Sequence, residues 1–234
     1  MHKYFNPGKV QQYIGVLLPF IAVLAVVFLL AGLYFALFAS PPDYQQGEAV
    51  RIMYVHVPAA WMALFIYMFI STMSAAALIW KNPLSVIIAT QSAPIGAAFT
   101  LICLITGSIW GKPIWGAWWV WDARLTSMLI LFFFYIGYMA LYNSYDNKER
   151  AGKVSAIFAL IGMVNIPIIK FSVEWWSTLH QPASIIRSGG VAIDPAMLRP
   201  LLLMFAGFML FFIQVLFLRI KTGYFEKKML RFAR

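Results

Sequence analysis

Charged residues are scarce in this sequence: Asp, Glu, Lys and Arg make up 11% of its 234 residues, whereas 62% are hydrophobic. In an ordinary soluble domain about a quarter of the residues are charged, so this composition argues against that class. Apolar runs of about 18 residues or more recur along the chain, and such runs are long enough to cross a bilayer as helices. The sequence therefore predicts an integral membrane protein.

Cysteine is nearly absent as well, and the single Cys103 lies inside an apolar run. One cysteine excludes a disulfide framework, a CxxC redox motif and a Cys/His zinc site. The sequence also lacks a phosphate-binding loop, paired carboxylates and a nucleophile beside a base. We therefore predict that the chain is not an enzyme, has no catalytic residues and does not hydrolyse ATP itself.

Six apolar runs are candidate membrane spans, because each can cross about 30 Å of hydrocarbon as a helix. They cover residues 15–38, 54–79, 84–109, 125–142, 154–172 and 201–219. The predicted fold is an all-α bundle of six transmembrane helices, which form one membrane domain over residues 1–234.

The Lys and Arg residues set the predicted orientation, because they are enriched in cytoplasmic loops. With the N-terminus inside, twelve of the eighteen fall on the cytoplasmic side. Both termini are then cytoplasmic, and the external loops are 39–53, 110–124 and 173–200. We expect the basic tail 219–234 to contact anionic membrane lipids rather than nucleic acid.

A tryptophan-rich stretch dominates the middle external loop, which holds five of the nine tryptophans. These five are Trp110, Trp115, Trp118, Trp119 and Trp121. Tryptophan is enriched at membrane surfaces, so an aromatic belt is the alternative interpretation. A belt is spread over many helix ends, however, and the glycines beside these rings would let a flat ligand approach the backbone closely. We therefore favour a platform for a planar ligand over residues 110–124.

His56 and His180 lie at the outer membrane edge, in the external segments around 39–56 and 173–200, and are the only histidines besides His2. Imidazole suits iron, and a haem with two axial histidines needs one ring above and one below its plane. The alternative for each histidine is an interfacial side chain with one hydrogen bond. Zinc is disfavoured because no third or fourth ligand accompanies the pair at a suitable spacing.

Three external cations, Arg51, Lys112 and Arg124, could orient such a haem, because an arginine fork matches the carboxylate of a propionate. The alternative is that their charged ends reach the membrane surface or pair with a nearby carboxylate: Asp122, Glu48 or Glu174. For Asp122 we expect a bond to Arg124 or to an indole N–H.

The tryptophan stretch resembles the WWD signature of the haem-handling protein family, through the pattern Trp110-Gly-x3-Trp115-Gly-x2-Trp119-x-Trp121-Asp122-x-Arg124. With 234 residues and six spans, the chain is similar over nearly its whole length to the CcmC branch of that family. The resemblance implies that His56 and His180 are axial ligands of haem iron and that residues 110–124 are the haem platform. It also implies that Arg51, Asp122 and Arg124 orient haem or dock a partner.

Members of this branch act in System I cytochrome c maturation as haem exporter subunits. They present haem b, held non-covalently and transiently, at the periplasmic face of the bacterial inner membrane. They pass it to the haem chaperone CcmE and work with CcmA, CcmB and CcmD in a complex of the ABC transporter type. The resemblance therefore implies these partners, this location and a role in c-type cytochrome biogenesis.

Two other functions are alternatives. An electron-transfer cytochrome b would be expected to bury both histidines on helices inside the bundle, whereas His56 and His180 lie near external loops. A permease for haem or another small molecule would usually carry ionisable residues within its spans, and these spans carry few, although a hydrophobic cargo needs none.

Overall fold

The computed structural model of the protein describes residues 7–176, 178–181, 185 and 189–232, with side chains placed from residue 12 to residue 222 of those ranges. Parts of the predicted external loop 173–200 and the last two residues of the predicted tail 219–234 lie outside the described residues. The described helices are α1 (Pro7–Tyr34), α2 (Met53–Trp80), α3 (Pro83–Trp115), α4 (Ala123–Asn143), α5 (Lys148–Gly162), α6 (Asn165–Trp175) and α7 (Pro195–Phe232). A π-helical turn at Phe35–Ala39 and a 3-10 helix at Glu48–Ile52 complete the helical elements of this part of the chain.

Within the described ranges, six segments are long and apolar enough to cross a membrane, with α5 and α6 forming one of them together. They are Gln12–Ala39, Glu48–Trp80, Pro83–Trp115, Ala123–Asn143, Lys148–Trp175 and Pro195–Thr222. The residues that the structure covers form no β-strand. The predicted all-α fold with six membrane-spanning segments is therefore confirmed.

Helix α1 exposes a strip of apolar side chains. Val16, Phe20, Val23, Val27 and Leu30 are each more than half exposed on it. A continuous apolar strip of this length is rare on a soluble monomer, because water makes it costly. Hydrocarbon is the solvent that suits this helix.

The core lies where α2, α3 and α4 pack together, and it fixes the positions of these helices relative to one another. Met62, Ile66 and Tyr67 of α2 are fully buried there, as is Tyr135 of α4. The Tyr135 hydroxyl donates to the carbonyl of Ala63 at 2.6 Å and so joins two helices. The N-terminal ends of α2 and α4 and the C-terminal end of α3 are consequently held in a fixed relation to one another.

The fifth span is two helices rather than the single helix predicted over 154–172. Helix α5 ends at Gly162 and α6 begins at Asn165. Pro167 explains the break, since it has no N–H to donate to the carbonyl of Met163 one turn earlier and its ring crowds that carbonyl. The buried Asn165 at the break donates its side-chain amide to the carbonyl of Ser127 at 2.8 Å.

The predicted loop 110–124 is shorter than expected, because residues 110–115 complete helix α3. The helix ends at Trp115, and the next residue, Gly116, has a φ of +75° that is favourable for glycine and an N–H that donates to the carbonyl of Lys112 at 3.1 Å. The prediction took the end of the apolar run as the end of the helix. At 1.5 Å per residue, however, 33 residues span about 50 Å, so α3 can project beyond the hydrocarbon.

Candidate functional site

A cavity of about 350 Å³ lies near the N-terminal ends of α2 and α4 and the C-terminal end of α3, and both predicted histidines line it. Its volume falls within the range of about 300–1,000 Å³ that is usual for small-molecule sites. The lining is mostly apolar and aromatic, and its polar side chains are Gln46, His56, Arg124, Lys170, His180 and Gln181, together with the Cys103 thiol and the indoles of four tryptophans. Segments far apart in the chain therefore meet in one apolar pocket.

His56 stands in the first turn of α2 and faces α3. Its Nδ1 lies 3.0 Å from the carbonyl oxygen of Cys103 and 3.1 Å from the hydroxyl of Thr106. Because a carbonyl oxygen can only accept, Nδ1 must donate, and the lone pair of the neutral ring is then on Nε2. A Cβ atom at Gly107 would lie 2.8 Å from His56 Cε1, so this ring position requires glycine there. The imidazole is thus fixed in one tautomer.

His180 reaches the cavity from the segment between α6 and α7 and is held by a carboxylate. Its Nδ1 lies 3.0 Å from Oδ2 of Asp122, and the two side chains are only 18% and 8% exposed. The carboxylate accepts from Nδ1–H, which again leaves the lone pair on Nε2. Burial lowers the pKa of His180, and the neighbouring Asp122 opposes that shift. The net lowering favours the neutral imidazole, which is the form that binds a metal.

Asp122 uses both of its carboxylate oxygens. Its Oδ1 accepts from the backbone N–H of Leu125 at 2.8 Å and so caps the first turn of α4, while Oδ2 accepts from His180. We expected Asp122 to hold Arg124 or an indole N–H, and that expectation is wrong. The backbone N–H of Leu125 and the imidazole of His180 are the donors that this carboxylate satisfies.

Three of the five predicted tryptophans line the cavity: Trp110, Trp115 and Trp119. Trp110 lies edge-to-face with His56 at a centroid distance of 5.5 Å, and Trp115 lies edge-to-face with His180 at 4.9 Å. The indole N–H of Trp110 donates to Oε1 of Gln46 at 3.0 Å. Each histidine therefore has its own aromatic neighbour.

The other two tryptophans, Trp118 and Trp121, do not line the cavity. They are 57% and 77% exposed, on the non-helical segment between α3 and α4. This segment is held to α3 by a hydrogen bond of 2.7 Å from the hydroxyl of Ser108 to the carbonyl of Trp118. The stretch predicted as one platform thus divides into rings that line the cavity and rings that face outward.

The predicted cations are separated by the fold. Arg124 lines the cavity, and its Nε donates to the hydroxyl of Ser172 at 3.3 Å. Arg51 does not line it, because its guanidinium bonds the carboxylate of Glu48 and the carbonyl of Ala36. Lys112 also lies outside the lining, where its Nζ donates to the carbonyl of Gly116 at 3.1 Å.

Sequence reasoning did not identify three polar residues of the site. Gln46, Lys170 and Gln181 all line the cavity, and none was predicted as a site residue. Lys170 falls near the end of the predicted span 154–172 and looked like an ordinary cation near a helix end. Gln46 had no signal of its own, because its partner Trp110 is 64 residues away in the sequence.

The donor set of the cavity fits a planar iron cofactor better than a bare metal ion. In the part of the chain that the structure describes, no three His, Cys, Asp or Glu residues cluster as metal ligands. Zinc sites use three or four protein ligands, whereas a haem needs one or two from the protein. Two imidazoles with the lone pair on Nε2, beside aromatic walls and the cations Arg124 and Lys170, match the needs of a haem with two propionates.

The sequence model of one protein family, CcmC, described as heme exporter protein C, matches residues 1–233 of the chain. The chain belongs to this family. The resemblance inferred from the WWD pattern and the six spans is thereby confirmed for the CcmC branch. Three relatives named heme exporter protein C illustrate how far the similarity extends.

The relative from Bradyrhizobium diazoefficiens is 49% identical over 208 residues, which cover 89% of this chain and 79% of the relative. The relative from Escherichia coli K12 is 45% identical over 210 residues, covering 90% and 84% of the two chains. The relative from Paracoccus denitrificans is 41% identical over 221 residues, covering 94% and 91%. The match to CcmC proteins therefore extends through all six spans rather than one motif.

Proposed function

We propose that this chain binds haem in the cavity between His56 and His180 and passes it to a partner during the maturation of c-type cytochromes. The observation that carries the proposal is the pair of imidazoles that line one cavity, each with a hydrogen bond at Nδ1 and the lone pair on Nε2. The name heme exporter protein C, which its relatives carry, agrees with this role. Haem is then the cargo of the protein, and we assign the chain no catalytic residue.

The walls of the cavity explain how haem b would be held without a covalent bond. Trp110 and Trp115 line it, and an aromatic contact contributes about 0.5–1.5 kcal/mol beyond the burial of area. Arg124 and Lys170 also line the cavity and supply positive charge for the propionates. Several moderate contacts of this kind suit a cargo that must be bound and then released.

The position of the cavity at the end of the bundle supports transfer to a partner. Trp118 and Trp121 are exposed on the neighbouring segment, where a second protein could contact them. From the family we propose that the recipient is the chaperone CcmE and that CcmA, CcmB and CcmD complete the complex. We further propose that the cavity faces the periplasm, with the chain in the bacterial inner membrane and both termini in the cytoplasm.

The structure contains one observation that favours the electron-transfer alternative. His56 is on a helix, half-buried against α3, as a cytochrome b histidine would be. His180, by contrast, lies on a segment between helices, which a permanently enclosed haem would not require. The two functions predict different behaviour, since a cytochrome keeps its haem and cycles electrons, whereas a haem exporter transfers the ring itself.

The test is to co-express the chain with a tagged haem chaperone and to measure the haem on each protein. The wild type is expected to show a low-spin, six-coordinate spectrum and to load the chaperone. His56→Ala and His180→Ala should each give a weakened or high-spin spectrum and load less. If the wild type loads no chaperone, yet its haem is reduced by quinol and reoxidised by an acceptor, the electron-transfer alternative replaces this proposal.

The proposed orientation has its own test. Cysteines introduced at Ala117 and Asp146 lie on non-helical segments, one between α3 and α4 and the other between α4 and α5. An impermeant thiol reagent applied to cells with a permeable outer membrane should label position 117 and not position 146. The reverse pattern would place the cavity in the cytoplasm and remove the periplasmic role.

A further inference from the structure

The two proposed haem ligands are held by chemically different partners. His180 donates its Nδ1–H to the carboxylate of Asp122 at 3.0 Å. Among the residues that the structure describes, the groups in contact with Nδ1 of His56 are uncharged: the carbonyl of Cys103, the hydroxyl of Thr106 and, at 3.9 Å, the thiol of Cys103. The hydrogen-bond partner of Nδ1 is therefore negatively charged in His180 and uncharged in His56.

The carboxylate of Asp122 cannot be replaced by a side chain with one acceptor oxygen. One oxygen accepts from the N–H of Leu125 and the other from His180. An asparagine would have one oxygen for these two donors, so either the helix start or the imidazole would face an amide N–H. Serine can cap a helix, but it brings no negative charge to the imidazole.

A carboxylate that accepts a hydrogen bond from Nδ1 of a histidine makes the Nε2 of that histidine a stronger metal ligand. The negative charge draws the Nδ1 proton toward it, which raises the electron density on Nε2 and favours iron in its ferric state. A neutral carbonyl or hydroxyl gives the same tautomer with a weaker effect. The ligands should therefore bind iron unequally although both are imidazoles.

We propose that Asp122 is a positioning residue that acts on haem through His180 and makes the His180–iron bond the stronger of the two axial bonds. The proposal rests on the haem-binding function proposed above, and it gives Asp122 a role different from orienting propionates or docking a partner. Its carboxylate selects the tautomer of His180, aims Nε2 into the cavity and stabilises ferric haem.

The test compares single and double variants of the purified full-length protein for haem affinity, absorption spectrum and reduction potential. Asp122→Ser keeps a helix cap and removes the charge, and it should weaken haem binding about 10- to 100-fold, as loss of a second partner of a metal-bound histidine typically does. The reduction potential of the remaining bound haem should rise. Asn147→Ser is the matched control, because Asn147 caps α5 through one oxygen at another helix start.

The double variants show whether Asp122 acts through His180. Adding Asp122→Ser to His180→Ala should cause little further loss, whereas adding it to His56→Ala should cause nearly its full effect. His180→Ala alone should retain less haem than His56→Ala alone. If Asp122→Ser does not accumulate in membranes, Asp122→Asn serves the same comparison, since it also removes the charge and keeps one acceptor.

Three results would overturn the inference. They are an unchanged reduction potential in both Asp122 variants, an Asp122 effect that adds fully to His180→Ala, and a His56→Ala variant that retains less haem than His180→Ala. In each case the wild type still binds haem with a six-coordinate spectrum, and the proposed function stands. A wild type that binds no haem contradicts the proposed function instead.

Discussion

On one side of the cavity His56 and Trp110 stand on the packed helices α2 and α3, whereas on the other side His180 and Trp119 belong to segments between helices. The helical side is positioned by the bundle core beneath it. The interhelical side depends on local polar contacts, such as His180 with Asp122 and Ser108 with the carbonyl of Trp118. A change of shape should therefore do most damage on the helical side, and a change of charge should do most damage on the interhelical side.

The largest effect on the helical side is expected from Gly107→Ala. The new Cβ would lie 2.8 Å from Cε1 and 3.4 Å from Nδ1 of His56, so the imidazole would have to move away from Cys103 and Thr106. We expect the low-spin, six-coordinate spectrum to be lost while His180 remains in place. The measurement is the absorption spectrum of the purified variant with added haem.

A matched control for this change is available in α1. A Cβ at Gly15 would meet nothing closer than Nζ of Lys221 at 3.9 Å. Gly15→Ala should therefore leave the spectrum unchanged, and alanine should favour the helix slightly. A wild-type spectrum in Gly107→Ala would show that the position of His56 does not depend on this close approach.

The next largest effect on haem binding is expected from the cations, of which the fold places one in the cavity and one outside it. Arg124 lines the cavity, whereas Lys112 bonds the carbonyl of Gly116 outside it. A hydrogen bond to a charged group contributes about 1.5–3 kcal/mol, so Arg124→Gln should weaken haem binding roughly 10- to 100-fold. Lys112→Gln should change it less than about twofold, because surface charges contribute little. Equal losses in haem titrations of the two variants would contradict the assignment of Arg124 to the propionates.

A smaller effect should separate the tryptophans that line the cavity from those that are exposed. Trp115 lies edge-to-face with His180, whereas Trp121 is 77% exposed. Trp115→Ala should weaken haem binding by about 2- to 10-fold through the lost aromatic contact, and by more through lost burial, while Trp115→Phe should cost less. Trp121→Ala should leave the haem affinity of the isolated protein unchanged. An affinity loss in Trp121→Ala that matches Trp115→Ala would favour one continuous platform over the division seen here.

The sequence was sufficient to predict the bundle, because membrane spans have a local signal. An apolar run of the right length predicts a helix whatever it packs against. The same argument predicted that His56, His180 and the tryptophan stretch lie at the same end of the bundle, where one cavity now joins them. The lengths of the apolar runs and the positions of the Lys and Arg residues were enough for this part.

The contacts that determine the chemistry of the site had no such signal. Asp122 and His180 are 58 residues apart in the sequence, and side-chain hydrogen bonds across that separation leave no pattern in composition or spacing. The course of α3 through residues 110–115 was missed for another reason, since the apolar run ends before them and Gly111 and Pro113 disfavour a helix interior. Near the end of a long helix such residues reduce the stability of the helix only a little, because side-chain packing and contact with solvent compensate there.

The smallest expected effect tests a single contact between the 39–52 segment and the helical side. The indole N–H of Trp110 donates to Oε1 of Gln46 at 3.0 Å, and both residues line the cavity. Gln46→Ala would remove the acceptor and leave the half-buried indole free to turn. A neutral hydrogen bond contributes about 0.5–1.5 kcal/mol, so we expect haem binding to weaken by roughly 2- to 10-fold.

Two further variants show whether the hydrogen bond itself is responsible. Gln46→Glu keeps an acceptor oxygen of similar reach and should retain more affinity than Gln46→Ala. Trp110→Phe keeps a ring beside His56 but has no N–H to donate, so adding Gln46→Ala to it should cause no further loss. The measurement is a haem titration of the four proteins under one set of conditions. If Gln46→Ala weakens binding as much in the Trp110→Phe background as in the wild type, Gln46 acts on the cargo directly, and the hydrogen bond to Trp110 is incidental to its role.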